Sequence, residues 1–197
     1  MPSIRPTKLA HIVYRTRRYD EMLRWYVKVF DAKVQYQNPA LAFLTFDDEH
    51  HRFAFVNMEV FQPDGTETDR QGAIGVDHAG YTYASLSDLL ETYARLKAEG
   101  IEPYWSIHHG FTAALYYADP DGNQMEFQID CCHSSEEASA FMHGPRFAAN
   151  PLGVEFEPEQ WLALLRAGTP DVEILARQPH EPASPLRGAI SKLIAAN

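Results

Sequence analysis

The sequence predicts an α+β fold in which two tandem βαβββ modules pair into a cupped mixed sheet, followed by a mostly helical C-terminal extension. Three observations predict it. The order strand, helix, strand, strand, strand occurs twice along the chain. Each of the two helices carries one apolar stripe at 3.6-residue spacing, as a helix laid on a sheet requires. A lone βαβββ unit cannot bury both faces of its sheet, so pairing two of them is the economical solution.

Module one spans residues 7–60. The segment KLAHIVYRT alternates as a strand, with Ala10, Ile12 and Tyr14 on one face and His11, Val13 and Arg15 on the other. Tyr19, Met22, Leu23, Tyr26 and Phe30 follow at helical spacing. Three short strands come next, KVQYQ, LAFLTF and RFAFVNM, punctuated by Asn38-Pro39 and by Asp47-Asp48-Glu49.

Module two spans residues 73–130, after a polar, Gly-containing linker at 63–72. VDHAGYTYA is its first strand. Ser85 is placed to cap a helix whose stripe is Leu86, Leu89, Leu90, Tyr93 and Leu96 and which stops at Gly100. EPYWSI, TAALYY and NQMEFQI complete the module. The last two are joined by Asp119-Pro120-Asp121-Gly122, a strong hairpin-turn sequence. In the extension, 131–197, residues 134–142 and 158–167 have helical character, 176–185 are polar and Pro-rich, and 186–196 fit a last short helix. A lid, a dimer contact and a simple cap all suit this segment.

Composition narrows the function. A net charge of −10 argues against a nucleic-acid partner and against attraction to anionic lipid. No apolar run approaches the length of a membrane span, and MPSIRPTKLAHIVYRT lacks the apolar core of a signal peptide. The two cysteines, Cys131 and Cys132, are adjacent, a strained geometry for a mutual disulfide, which points to a reducing, cytoplasmic setting.

Putting the modules in register brings out three donors. His11 and His78 lie in the middle of the two first strands, and Glu126 lies in the last strand of module two. Around it Gln124, Glu126, Gln128 and Asp130 share one face, while Met125, Phe127 and Ile129 share the other. An acid opposite such an apolar face must meet water, a partner or a metal. Sliding RFAFVNM onto QMEFQID places Ala54 at the position of Glu126, and alanine ligates nothing. The result is two histidines and one carboxylate with open positions, a set suited to non-haem Fe(II) enzymes that bind substrate and O₂. Taken singly, a strand histidine is more often a hydrogen-bonded core or surface residue, and a strand glutamate a solvated one. Joint placement at matching points of a repeat is what favours a metal.

KLAHIVYRT, GVDHAGYTYAS and, most specifically, YYADPDGNQMEFQID resemble the vicinal oxygen chelate superfamily of glyoxalases, bleomycin-resistance proteins and extradiol dioxygenases over residues 7–130. Within it the chain is similar to single-domain type I extradiol dioxygenases of the catechol or dihydroxybiphenyl kind. The resemblance implies a metal held by His11, His78 and Glu126 at the centre of the cupped sheet. The family's His-x-x-Ala-Phe/Leu segment falls on His51, implied as catalytic acid/base, and its substrate-binding tyrosine on Tyr116. A further histidine upstream of that tyrosine falls on His109 or His108, with His109 favoured.

The function so implied is O₂-dependent cleavage of a catechol beside its two hydroxyls, with Fe(II) as the metal and Mn(II) sharing its ligand preferences. The partner is a small aromatic diol, and a homo-oligomer would use free sheet edges. Phe43, Phe46, Phe53, Phe55, Tyr104, Trp105, Phe111 and Tyr117 are aromatic enough to line a ring-shaped pocket, and equally fit a core. Two rivals remain on the same fold. A glyoxalase-like isomerase generally needs a fourth ligand where Ala54 stands. A drug-sequestering resistance protein generally lacks the metal set.

Overall fold

A computed structural model describes residues 9, 11–64, 76–176 and 182–188. The α+β architecture holds, with strand, helix and three strands in each module. Among the described residues the strands pair into two mixed sheets, one built on each module. The chain falls into two compact units, Met1–Gly72 with Asp119–Gly122, and Ala73–Ala118 with Asn123–Asn197.

In the first unit, β1 (Ile12–Thr16), α1 (Tyr19–Phe30), β2 (Lys33–Gln37), β3 (Leu41–Thr45) and β4 (Phe53–Asn57) form a sheet in the order β1-β4-β3-β2. β1 and β4 run parallel and the other pairs antiparallel. Helix α1 buries Tyr19, Met22, Leu23, Tyr26 and Val29. The Tyr26 ring packs at 4.7 Å from Phe53 and 4.8 Å from Phe55, which fixes the helix-side face of β4. The C-terminal end of the predicted strand RFAFVNM turns into a short helix, α2 (Met58–Phe61), because the Asn57 side chain accepts from the Glu59 N–H and caps it. Lys8 and Ala10, predicted for the first strand, lie outside the described residues.

In the second unit, β5 (His78–Thr82), α3 (Leu86–Ala98), β6 (Trp105–His108), β7 (Thr112–Ala118) and β8 (Gln124–Asp130) form a sheet in the order β5-β8-β7-β6. The Ser85 hydroxyl accepts from the Asp88 N–H at 3.0 Å, as its capping role requires. All five stripe residues of α3 are buried. β6 starts at Trp105 rather than at Glu102, since Pro103 has no N–H for the ladder. At the β7–β8 turn the Gly122 N–H reaches the Asp119 carbonyl at 2.8 Å with φ of 81°, a left-handed conformation glycine takes without cost. That turn belongs to the first unit, where the Tyr26 hydroxyl donates to Asp119 Oδ2 at 3.1 Å and Arg18 donates to the Pro120 carbonyl.

The extension is more than helical. After α4 (Ser135–Met142) and α5 (Pro145–Ala149), the strand β9 (Val154–Glu155) adds to the free edge of β6. Then α6 (Pro158–Arg166) and α7 (Asp171–Ile174) follow. Residues 182–188 return to β9: the Ser184 N–H donates to the Gly153 carbonyl at 2.9 Å, and Arg187 pairs with Glu155. The predicted terminal helix lies outside the described residues beyond 188. Among the described residues no helix is long and apolar enough to cross a membrane. Both cysteines are free thiols.

Candidate active site

The register of the second sheet sets four residues in a row across β6, β7, β8 and β5. Trp105 pairs with Tyr116, Tyr116 with Glu126, and Glu126 with Gly80. Met125 and Phe127, on the alternate positions of β8, are fully buried, so this row occupies the opposite face. Gly80 leaves space beside the acid; even a Cβ there would stand 3.6 Å from Glu126 Oε2. His78 lies two residues before Gly80 and shares its face, so it reaches the acid diagonally. Its Nε2 is 3.2 Å from Glu126 Oε2.

The opposite ring nitrogen is already committed. His78 Nδ1 donates to the Asp77 carboxylate at 2.8 Å, which leaves Nε2 facing Glu126. The hydrogen bond to Glu126 is the main cause that raises the His78 pKa to about 9; burial opposes it and Asp77 adds to it. For Glu126, which is 8% exposed, burial pushes the pKa up, but hydrogen bonds from His78 and Tyr116 and the charge of His109 outweigh it, and the net shift is downward. Burial first, and then the Glu126 charge, hold the Tyr116 phenol well above its ordinary value, so it remains an O–H donor.

The adjacent histidines at the end of β6, His108 within the strand and His109 just past it, diverge. His109 Nδ1 donates to the Leu152 carbonyl at 2.5 Å, and its Nε2 stands 3.3 Å from the Tyr116 hydroxyl and 3.7 Å from Glu126 Oε1. His108 turns the other way: Nδ1 accepts from the Gly110 N–H at 2.9 Å and Nε2 donates to the Leu175 carbonyl at 3.0 Å. Its two bonds fix one neutral tautomer, and it stands against the extension. His109 is the one placed beside Tyr116 and Glu126.

In the first unit the register repeats. Tyr36 pairs with Phe43, Phe43 with Ala54, and Ala54 with Val13, so Ala54 holds the place that Glu126 holds in the other sheet. His11 precedes Val13 by two residues, as His78 precedes Gly80. The His11 ring stacks on His51 at 4.5 Å, and Phe43 lies 4.8 Å from the same His51 ring. Burial, then the charges of His11 and His50, lower the His51 pKa, with Glu49 acting the other way. His50 is exposed and meets His51 through their Nδ1 atoms, 2.5 Å apart. Phe53, Phe55 and Tyr117 pack as core, Phe53 and Phe55 against Tyr26 of α1 and Tyr117 against Phe127, and leave the ring-pocket set.

Among the described residues no three His, Cys, Asp or Glu side chains form a ready cage for an ion. The donor chemistry within the second unit nevertheless fits a divalent metal. A half-buried imidazole presents Nε2 with its Nδ1–H held by a carboxylate, and a buried glutamate faces it. Sequence reasoning missed Asp77 and Leu152, and placed Gln124 on the Glu126 face without its bond to Asp77. Asp77 gives a weak signal as the residue immediately before the ligand; a backbone carbonyl such as that of Leu152 gives none.

A family model described as the Glyoxalase/Bleomycin resistance protein/Dioxygenase superfamily matches residues 8–127. The chain is 47% identical to biphenyl-2,3-diol 1,2-dioxygenase 2 of Rhodococcus globerulus over 83% of its length and 84% of that protein. It is 40% identical to biphenyl-2,3-diol 1,2-dioxygenase 3 of the same organism, over 86% of this chain and 88% of the relative. The crystal structure of a glyoxalase/bleomycin resistance protein/dioxygenase from Alicyclobacillus acidocaldarius, 20% identical, aligns with a TM-score of 0.50 over 65% of this chain and 95% of its own. That last likeness is one of fold.

Proposed function

Because the chain belongs to the Glyoxalase/Bleomycin resistance protein/Dioxygenase superfamily, we propose that it is an extradiol dioxygenase that opens the ring of biphenyl-2,3-diol or a related aromatic diol with O₂. By the family resemblance, His11, His78 and Glu126 are the residues that would hold its metal, and Fe(II) is the ion that suits them. The observation that supports this most is the His78–Glu126 pair, with the imidazole turned by Asp77 so that Nε2 faces Glu126. The unbridged Cys131 and Cys132 suit a reducing, cytoplasmic setting.

A divalent ion held there supplies positive charge that acidifies a diol hydroxyl, and open positions for the diol and O₂. The protein's own groups do the rest. His78 gives up its Nε2 proton when it ligates, while Asp77 keeps the Nδ1 proton in place. His51, its pKa lowered by burial and by its histidine neighbours, is a free base at neutral pH and takes the second hydroxyl proton, later returning it. Tyr116 retains its proton and donates a hydrogen bond to the oxygen where charge develops. His109, its Nδ1–H held by the Leu152 carbonyl, donates from its protonated Nε2 to the Tyr116 oxygen, which leaves the Tyr116 O–H for the diol. The isomerase reading fits less well, since Ala54 stands where a fourth ligand would come from.

The test is anaerobic reconstitution with Fe(II), followed by O₂ uptake and absorbance scans with biphenyl-2,3-diol and smaller catechols. A yellow product with one O₂ consumed per diol is expected. Tight metal binding without turnover would overturn the dioxygenase reading in favour of isomerase or lyase chemistry; absence of metal binding would overturn both.

A further inference from the structure

The polar chain that reaches Glu126 through His78 continues outward, and its far end lies in the C-terminal extension. Gln124 is the ladder partner of His78 and is 7% exposed. Its amide nitrogen donates to the Asp77 backbone carbonyl at 2.9 Å and lies 3.3 Å from Asp77 Oδ1. Its amide oxygen accepts from the Tyr104 hydroxyl at 2.9 Å. Turning that amide over would set its oxygen against the Asp77 carboxylate, so the Tyr104 bond and the Asp77 bonds select one orientation.

Gly188 closes the chain. Its φ is 77°, and a Cβ there would fall 2.2 Å from Gln124 Oε1 and 3.1 Å from the Tyr104 hydroxyl oxygen. Only glycine lets the backbone come this near the amide. The segment carrying it is pinned at several points. The Ser184 N–H donates to the Gly153 carbonyl, and the Ser184 hydroxyl accepts from the Trp105 indole, both at 2.9 Å. Arg187 grips Glu155 of β9 with two contacts of 2.5 and 3.1 Å. Nothing in the reaction outlined above uses residues 182–188, yet they are built against the outer end of the His78 chain.

We propose that residues 182–188 belong to the positioning apparatus of His78: Gly188 packed on Gln124 holds the amide, the amide holds Asp77, and Asp77 holds the Nδ1–H and the ring angle of His78. A free imidazole exchanges its proton between two nitrogens and rotates about two bonds. Ligation through Nε2 requires the proton on Nδ1 and one ring orientation, and outer partners of this kind typically affect metal affinity by about 10- to 100-fold. Gly188, Tyr104, Gln124 and Asp77 are thus positioning residues, acting through His78. The consequence for metal affinity rests on the reading of His78 as a ligand; the consequence for the His78 ring does not.

The experiment uses the full chain and two readouts on Gly188→Ala, Tyr104→Phe and Asp77→Ala. One is the Fe(II) dissociation constant, titrated anaerobically without substrate. The other is the His78 ring signal in ¹⁵N-resolved NMR of the metal-free protein, assigned with His78→Gln. The expected result is weakening of Fe(II) binding by about tenfold or more, together with a displaced or exchange-broadened His78 Nδ1–H signal. If Gly188→Ala leaves both readouts unchanged, the role of residues 182–188 is overturned. If the ring signal moves and Fe(II) affinity does not, the positioning chain stands and the ligand reading of His78 fails. Should Gly188→Ala fail to fold by circular dichroism, Arg187→Ala, which releases residues 182–188 from Glu155, carries the test with the same criteria.

Discussion

His78 Nε2 stands 3.2 Å from Glu126 Oε2, and the contact ties the charge of each residue to that of the other. A proton on Nε2 occupies the line of contact that a shared metal would need. Protonation and metal loading of this pair are therefore mutually exclusive, which makes the pair testable by pH.

With its folded pKa raised to about 9 from an ordinary 6.5, His78 contributes stability that is fully present below about pH 6.5 and is lost as pH rises through about 9. The gap in Tm between the metal-free protein and His78→Gln should therefore be widest near pH 6 and close by pH 9.5. Loading Fe(II) at pH 7 should release about one proton per site, read in a weakly buffered titration. A Tm gap that widens with pH would contradict the assignment.

Replacing either member of the pair removes a proposed ligand. His78→Ala and Glu126→Gln, after anaerobic loading and desalting, should each retain under about a tenth of the iron of the parent protein by elemental analysis. Chelation of the parent should abolish turnover, and re-addition of Fe(II) should restore it.

His51→Ala should separate binding from chemistry. Turnover of biphenyl-2,3-diol should fall by about 10²- to 10⁴-fold, the range expected when a general base is lost, while iron content stays near the parent value. Full turnover in this variant would remove His51 from the mechanism.

Phe55 supports the first unit rather than the chemistry. It is fully buried, 4.8 Å from the Tyr26 ring and 5.6 Å from that of Tyr14. Phe55→Ala should cost about 3–5 kcal/mol of stability by urea unfolding, through lost burial and the cavity left behind. Phe43, on the opposite face of that sheet and against His51, should cost less stability when truncated and more activity.

Elements whose pattern is periodic were readable from sequence: the α3 stripe, the α1 stripe up to Tyr26 (Val29 rather than Phe30 being its last buried residue), the Ser85 cap and the Asp119–Gly122 turn lie where the residues predict. The placement of Ala54 opposite Val13, matching Glu126 opposite Gly80, was also readable, because a two-residue strand period turns a sequence repeat directly into a register. Strand ends were less legible. Pro103 shortened β6, and the Asn57 cap ended β4 early. β9 was not legible, since two residues carry no periodicity and the β6 edge recruits them. The orientations of His108 and His109 hinge on the carbonyls of Leu175 and Leu152, which a string of side chains does not encode.

The turn Asp119–Gly122 is encoded in the second repeat and counted in the first unit, where Asp119 receives the Tyr26 hydroxyl. The polypeptide consequently passes between units three times rather than once. A fragment ending at residue 72 would carry the whole first repeat and still lack part of its own unit. Repeat and unit are different partitions of one chain, so a cut at the repeat boundary would take the Asp119 partner of Tyr26 out of the first unit.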